Sequence, residues 1–365
     1  MSNTRAVAST YLEWAKLCSP AKYNLATSGI MSYPLAELHV SAQDLEINGP
    51  TVYGYAPLQE RLARKCGVTP DCVVAAAGTS MANHLAMATL LEPGDDVLIE
   101  QPTYGPVLEV ASYLQASILR FERRAEQDFQ IDPDEIARRI TSKTRLICLT
   151  NLHNPSGALT SEETLTRIGR IAQNSEVQVL VDEVYLDMVY DQPARSSFHL
   201  GSNFVVTNSL TKAYGLSGLR CGWILAQPDL AKRMWRLNDL FAATPVHPGE
   251  LLSVVALDQL CKINARARAL LEANRTALDA FFSGRGDLDS FDSRWGTVSF
   301  PRMKNGSVDE FCEFLRARYQ TSVVPGRFFE MPDHFRIGIG GDPAMTGEAL
   351  KRLAAALDDW GSNRS

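Results

Sequence analysis

The chain has 365 residues, enough for more than one core around a shared cleft. Hydrophobic residues make up 45% and charged residues 21%, the balance of a soluble globular enzyme. A formal net charge of −6 and an isoelectric point of ≈ 5.6 argue against nucleic acid or an anionic membrane as the main partner, so positive charge is expected only locally, for small anions.

The opening MSNTRAVASTYLEWAKLC has no apolar signal-type core, and no stretch approaches the ~18 uncharged apolar residues of a spanning helix, so a cytoplasmic location is expected. Residues 5–18 read as an amphipathic helix with Val7, Tyr11, Trp14 and Leu17 on one face. A small-residue loop, LATSGIMSYP, follows, and a helix is predicted over 56–66, started near Pro57. From there to about 226, apolar runs (CVVAAA, DVLIE, SILRF, RLICLT, VQVLVD, NFVVTN, GWILA) alternate with helical stretches at 80–91, 104–115, 132–140 and 161–174. Continuous apolar strands separated by helices predict a mostly parallel seven-stranded sheet covered on both faces, an α/β/α sandwich. After 226 the pattern changes to long helices, then strand-like WGTVSFP, SVVPG and HFRIGIG, with helices near 307–318 and 344–359. The expected division is a large domain over 45–240 and a smaller α+β domain made of 1–44 and 245–365. The seven cysteines are scattered without a Cys-x-x-Cys pair and the six histidines form no metal-spaced cluster, so free thiols and no metal site are expected.

The chemistry-bearing residues fall at the ends of successive sheet elements. CVVAAA runs into Gly78-Thr79-Ser80 and then a helix, an N-terminus suited to an anion. RLICLT runs into NLHNPSG with Asn154, VQVLVD ends in Asp182-Glu183-Val184-Tyr185, and NFVVTN runs into Ser209-Leu210-Thr211-Lys212, eight residues before Arg220. Singly, most of these also read as turn chemistry or helix caps. GxGxxG and GxxxxGK[ST] are both absent, so the dinucleotide and P-loop readings have no motif. Taken together, the side chains fit one cofactor. A lysine forms an imine with an aldehyde, and an aspartate keeps a pyridine nitrogen protonated. A tyrosine and an asparagine hydrogen-bond a phenolic oxygen, while an arginine, hydroxyls and a helix N-terminus hold a phosphate. That cofactor is pyridoxal 5′-phosphate (PLP).

Six blocks, AAAGTSMA, EQPTYGP, NLHNPSG, LVDEVY, SLTKAYGLSGLRCGW and HFRIGIG, occur in an order and approximate spacing that resemble the fold-type I, class I/II aminotransferases over essentially the whole chain. The resemblance implies that Lys212 is the Schiff-base lysine and the acid–base at the substrate Cα, that Asp182 pairs with the pyridinium, and that Tyr185 and Asn154 bind the cofactor's O3′. It implies that Tyr104 stacks on the pyridine ring and that Gly78, Thr79, Ser80, Ser209, Thr211 and Arg220 form the phosphate cup. Arg336 matches the arginine that grips the substrate α-carboxylate. Tyr53, in NGPTVYGYAP, resembles the tyrosine that reaches the phosphate of the neighbouring subunit, with Tyr55 as its competitor, and Gly29 resembles the glycine that covers the substrate. A homodimer with shared active sites is expected on the same ground.

The resemblance implies transfer of an amino group from an amino acid to a 2-oxo acid through pyridoxamine phosphate. A PLP-dependent lyase, cyclase or decarboxylase keeps the same lysine chemistry. The ATSGIMSYP segment and the Gly-Pro-x-x-x-Gly-Tyr stretch are similar to a cyclising branch of the family, the capreomycidine synthases. A third class, a non-catalytic PLP-binding sensor fused to a DNA-binding domain, has no helix-turn-helix segment or basic arm to support it. Aspartate-specific members add a second arginine, from the partner subunit, shortly before an Asn-Pro-Pro-like turn. The corresponding NDLFAATPVHP has none, Arg236 lying one helical turn too early, so a neutral or aromatic substrate side chain is expected.

Overall fold

A computed structural model describes residues 5–42, 45–192 and 194–362. Its centre is a seven-stranded sheet of β1 (Val73–Ala77), β2 (Asp96–Gln101), β3 (Ser117–Glu122), β4 (Thr144–Thr150), β5 (Gln178–Asp182), β6 (Phe204–Ser209) and β7 (Cys221–Leu225). The spatial order is β1-β7-β6-β5-β4-β2-β3. The ladders from β6 through β3 are parallel, and β7 alone runs antiparallel, to both its neighbours. Strands β6 and β7 are buried at every position, as expected where helices cover both faces. The predicted mostly parallel α/β sheet is therefore the one observed.

Helices alternate with these strands: α2 (Ala56–Cys66) before β1, then α3 (Gly78–Leu90), α4 (Gly105–Tyr113), α5 (Pro133–Arg139) and α6 (Glu162–Asn174). The first helix is shorter than predicted. Helix α1 covers only Thr10–Leu17, because the Ser9 hydroxyl accepts a hydrogen bond from Leu12 N–H and caps it there. Residues 5–8 lie outside the helix, and Arg5 stacks on the Tyr113 ring at 3.9 Å instead. Beyond the sheet come α7 (Pro228–Asn238), α8 (His247–Asp258) and α9 (Leu260–Phe282), the last two separated at Gln259. A second, antiparallel sheet of β8 (Val298–Ser299), β9 (Val324–Pro325) and β10 (Phe335–Gly338) has the order β8-β10-β9; α10 (Val308–Tyr319) packs on β9, and α11 (Pro343–Ser362) packs on α10 and α9. The N-terminal segment joins this unit, since Tyr23–Asn24 pairs with Thr321–Ser322 and Gly338 N–H donates to Leu25 O.

Under the β2–β4 end of the sheet lies a wholly buried ion pair. Arg123 Nη1 meets Glu100 Oε2 at 2.8 Å with both side chains at 0% exposure. Most of the remaining hydrogen-bonding capacity is matched, with four of the five Arg123 N–H groups on acceptors. Glu100 Oε1 accepts from Thr150 N–H and Oγ1–H, and Arg123 donates to Phe129 O, Thr150 O and Thr160 Oγ1. Thr150 Oγ1 in turn accepts from Asn154 N–H at 3.0 Å, so the pair supports the turn that carries Asn154. Truncating one partner strands the other charge. Arg123→Ala is expected to lower unfolding stability by about 3–5 kcal/mol in urea titrations.

Among the described residues no helix is long and apolar enough to cross a membrane, and no group of three or more His, Cys, Asp or Glu could hold a metal ion. All seven cysteines are unpaired.

Candidate active site

The topology explains why the predicted residues converge. Strands β4, β5 and β6 end at one edge of the sheet and deliver Asn154, Asp182 and Ser209 there. Strand β1 runs antiparallel to β7, with Ala77 opposite Cys221, so the end of β1 and the start of β7 share that same edge. Arg220 reaches the edge from the front of a reversed strand. Its backbone is left-handed (φ 50°), and its guanidinium donates to Ala77 O and Ser217 O. A cavity of about 210 Å³ opens there, lined by Thr79, Ser80, Tyr104, Asn154, Asp182, Tyr185, Ser209, Thr211, Lys212 and Arg220.

One end of the cavity is a cup of hydroxyls and backbone. Thr79 Oγ1 donates to Ser209 Oγ at 2.8 Å, and Thr211 N–H donates to the same oxygen. The N-terminus of α3 opens into it at Gly78, whose φ of +78° suits glycine. Gly222 is equally constrained, since a Cβ there would stand 2.4 Å from the Gly78 carbonyl carbon. Unpaired helix N–H groups, hydroxyls and a guanidinium are the donor set a phosphate needs.

Lys212 Nζ sits in the middle and donates to Ser28 Oγ at 2.9 Å. Burial pushes its pKa below the ordinary lysine value; the positive charges of Arg336 and Arg220 act in the same direction, while Tyr11 and Asp182 oppose them. Gly29 packs on Lys212, and Ile30 N–H donates to Lys212 O. Asp182, 7% exposed, has one donor on each oxygen, Val184 N–H at 3.0 Å and Asn83 Nδ2 at 2.8 Å. Burial nonetheless raises its pKa to about 6, because two neutral donors do not replace hydration of the anion. A cationic ring nitrogen placed against it would supply the missing charge.

On the far side, Arg336 of β10 is fully buried. Nη1 donates to Asn154 Oδ1 at 2.9 Å, Nη2 to Tyr11 Oη at 2.9 Å and to Ala26 O at 3.2 Å, and Nε has no partner. A buried guanidinium with a free N–H fits a carboxylate partner. With Asn154 Oδ1 taken up by Arg336, the amide Nδ2 is left to donate toward the cavity. Tyr185, 3% exposed, shares Ser28 with Lys212.

Tyr53 is the predicted site residue that the fold does not bring to this cluster within the chain. It is 52% exposed, its hydroxyl donates to Asp239 Oδ2, and Tyr55 packs edge-on against His247. His153 fills the turn, with Nε2 on Pro102 O and Nδ1 on Ser156 Oγ. Trp223 and Trp235 are core residues, Trp295 binds Asp191, and Arg327 pairs with Asp309 away from the cavity. Three members were not singled out from the sequence: Ser28, Asn83 and Tyr11. Asn83 is the one with a local signal. It stands one helical turn beyond Thr79 in AAAGTSMANH and holds Asp182 through a chain begun by Thr207 Oγ1, which donates to Asn83 Oδ1 at 2.5 Å.

The site and sheet define a fold-type I, PLP-dependent enzyme. The model of the family "Aminotransferase class I and II" matches residues 33–353, and the chain belongs to that family. The aminotransferases of that family are PLP-dependent and act on amino acids and 2-oxo acids. The chain is 30% identical to capreomycidine synthase of Streptomyces vinaceus over 94% of its own length and 91% of that protein's. It is 27% identical to the arginine–pyruvate transaminase of Pseudomonas aeruginosa over 83% and 80% of the two chains. Its fold matches a PLP-dependent aminotransferase from Streptococcus suis with a TM-score of 0.91, at 24% identity and covering 98% and 99% of the chains.

Proposed function

We propose that this cavity carries out transamination with the residue roles the geometry supports. The cofactor, when bound, supplies an electron-accepting ring and an aldehyde that exchanges for an amine. Thr79, Ser80, Ser209, Thr211, Arg220 and the α3 N-terminus at Gly78 would hold its phosphate. Asp182 would face its ring nitrogen, Tyr104 its ring face, and Tyr185 and Asn154 its phenolic oxygen. Lys212 would hold the cofactor covalently and, once substrate displaces it, would take the proton from the substrate Cα and deliver it to the cofactor's aldehyde carbon, across the amino nitrogen. The lowered pKa of Lys212 favours the neutral amine that this step needs. Arg336 would bind the α-carboxylate, and Gly29 would close over the substrate. The observation that carries this reading is the convergence of Asn154, Asp182, Lys212 and Arg220 on one cavity from separate parts of the chain, with Arg336 bonded to Asn154 behind its wall.

The chain is further read as a cytoplasmic homodimer, in which Tyr53 reaches the neighbouring phosphate. Its exposed position and the exposed Val52, Leu240, Phe241 and Val246 support this. The division into residues 45–240 and residues 1–44 with 245–365 would let the second unit, carrying Arg336, close on substrate. The pairing of Tyr23–Asn24 with Thr321–Ser322 supports the grouping of the N-terminal segment with the C-terminal unit.

A neutral amino acid is the proposed donor. The support is the stretch NDLFAATPVHP, which carries no arginine where aspartate-specific members bring one from the partner subunit; within one chain the cations lining the cavity are Lys212 and Arg220, both already engaged. Incubation with PLP, a panel of amino acids and pyruvate is expected to convert pyruvate to alanine, with kcat/KM for aspartate no higher than for the best neutral donor. A strong aspartate preference would refute the substrate class. Ammonia, CO₂ or a cyclised product without a new amino acid would favour the lyase or cyclase reading, for which the 30% likeness to capreomycidine synthase is the specific support.

A further inference from the structure

Helix α1 contributes more than a covering face. It is fastened to α4, where Glu109 Oε1 accepts from Thr10 N–H at 3.1 Å, and it presents Leu12 to the cavity wall. Tyr11, 6% exposed, stands edge-on to Tyr104 at 5.4 Å and to Phe328 at 5.6 Å, so its ring has little freedom. That packing aims the hydroxyl at Arg336, whose Nη2 donates to it at 2.9 Å. A phenol that accepts from a guanidinium keeps its own proton to give. Around Arg336 the other two acceptors are an amide oxygen (Asn154) and a backbone oxygen (Ala26), neither of which can donate from that atom. The Tyr11 hydroxyl is the contact of the arginine that can also donate to a carboxylate bound beside it. Tyr104, against which the Tyr11 ring packs, and Leu12, its neighbour in the chain, both line the cavity, so the hydroxyl lies at that wall.

We propose that Tyr11 is a substrate-binding residue that holds the α-carboxylate together with Arg336: its oxygen accepts from and orients the guanidinium and its O–H donates a hydrogen bond to a carboxylate oxygen. The proposal rests on the reading of Arg336 as the carboxylate arginine. It assigns helix α1 a direct part in recognising both the amino acid and the 2-oxo acid, since both carry that group.

The test uses the PLP-loaded enzyme and its Tyr11→Phe variant, which keeps the ring packing. The KM values for amino donor and pyruvate are each expected to rise about tenfold, the scale of one lost charge-assisted hydrogen bond, with kcat changed less than about threefold. Two binding titrations separate recognition from mere support. 2-Methylalanine, which has the carboxylate but no Cα–H, is expected to bind Tyr11→Phe about tenfold more weakly than wild type. Its methyl ester, which lacks the charged carboxylate, is expected to bind both proteins alike. Equal 2-methylalanine affinity in the two proteins, or equal weakening of acid and ester, would overturn the proposal. Arg336→Lys is titrated in parallel. If it binds 2-methylalanine as wild type does, the reading of Arg336 fails and the proposal with it. If it binds weakly while Tyr11→Phe does not, only the role of Tyr11 is lost.

Discussion

Lys212→Ala is expected to lower kcat for transamination by at least about 10⁴-fold, because it removes both the covalent anchor of the cofactor and the group that moves the Cα proton. Tyr185, whose hydroxyl is buried and raised in pKa, and Asp182, whose hydrogen bonds are spent on Asn83 and Val184, leave no substitute base at that position. The phosphate cup is untouched, so the variant should still bind PLP, but reversibly. Borohydride treatment followed by peptide mass analysis should find the cofactor on the Lys212 peptide of wild type and on no peptide of the variant. Added methylamine should not restore wild-type turnover, since a free amine lacks the fixed position between Ser28, Asp182 and Arg336 that the chain enforces. A variant that retains activity within tenfold would overturn the assignment.

Asp182→Asn should have effects of opposite sign on stability and on catalysis. In the folded, cofactor-free chain burial raises the carboxyl pKa to about 6 from an ordinary 3.8. A raised carboxyl pKa means that the native state holds its proton more tightly than the unfolded chain does. Stability is therefore lost as pH climbs from about 4 through about 6, and the full cost is present above that. At ~1.4 kcal/mol per pH unit the cost is on the order of 3 kcal/mol. The amide has no charge to desolvate, and its Nδ2 finds an acceptor if the Asn83 amide flips, Asn83 Oδ1 then accepting and Asn83 Nδ2 donating to Thr207 Oγ1; cofactor-free Asp182→Asn should therefore be more stable than wild type at pH 8 by about 1–3 kcal/mol, with the difference shrinking toward pH 4. The buried Glu183, raised to about 7 by its own desolvation, contributes the same background to both proteins. With PLP and substrates the order reverses. The variant cannot stabilise a positively charged ring nitrogen, and kcat/KM should fall by at least about 100-fold. Urea unfolding at pH 5 and pH 8, beside steady-state kinetics, checks both halves. An active variant, or one less stable than wild type at pH 8 without cofactor, would refute the assignment.

Much of the fold is legible in the order of short apolar runs and helical stretches, and the strands observed at 73–77, 96–101, 117–122, 144–150, 178–182, 204–209 and 221–225 are the seven read from the sequence. The end of α1 nearest the N-terminus is not legible in the same way. Val7 fits the helical period, yet the Ser9 hydroxyl takes the Leu12 N–H and stops the helix, a local competition that periodicity ignores. Lys212, Asp182, Asn154 and Arg220 stand out because each is a polar residue at the end of an apolar run. Ser28 and Tyr11 do not, since one lies in a loop of small residues and the other on the apolar face of a helix, where a tyrosine reads as core.

What the amino-acid sequence determined by itself is the succession of strands and helices and the types of side chain at their ends. Those follow from hydrophobic period, turn residues and the cost of burying unpaired charge, all local quantities. Only the tertiary structure decided which ends meet. The reversal of β7 brings Arg220 to the same edge as Ala77, and β10 carries Arg336 to Asn154, 182 positions away. Helix α1 closes the arrangement by setting Tyr11 on a guanidinium 325 positions distant. Such contacts depend on strand order and on the packing of two sheets. These are settled by the whole chain's burial of apolar surface, and no window of sequence contains that information.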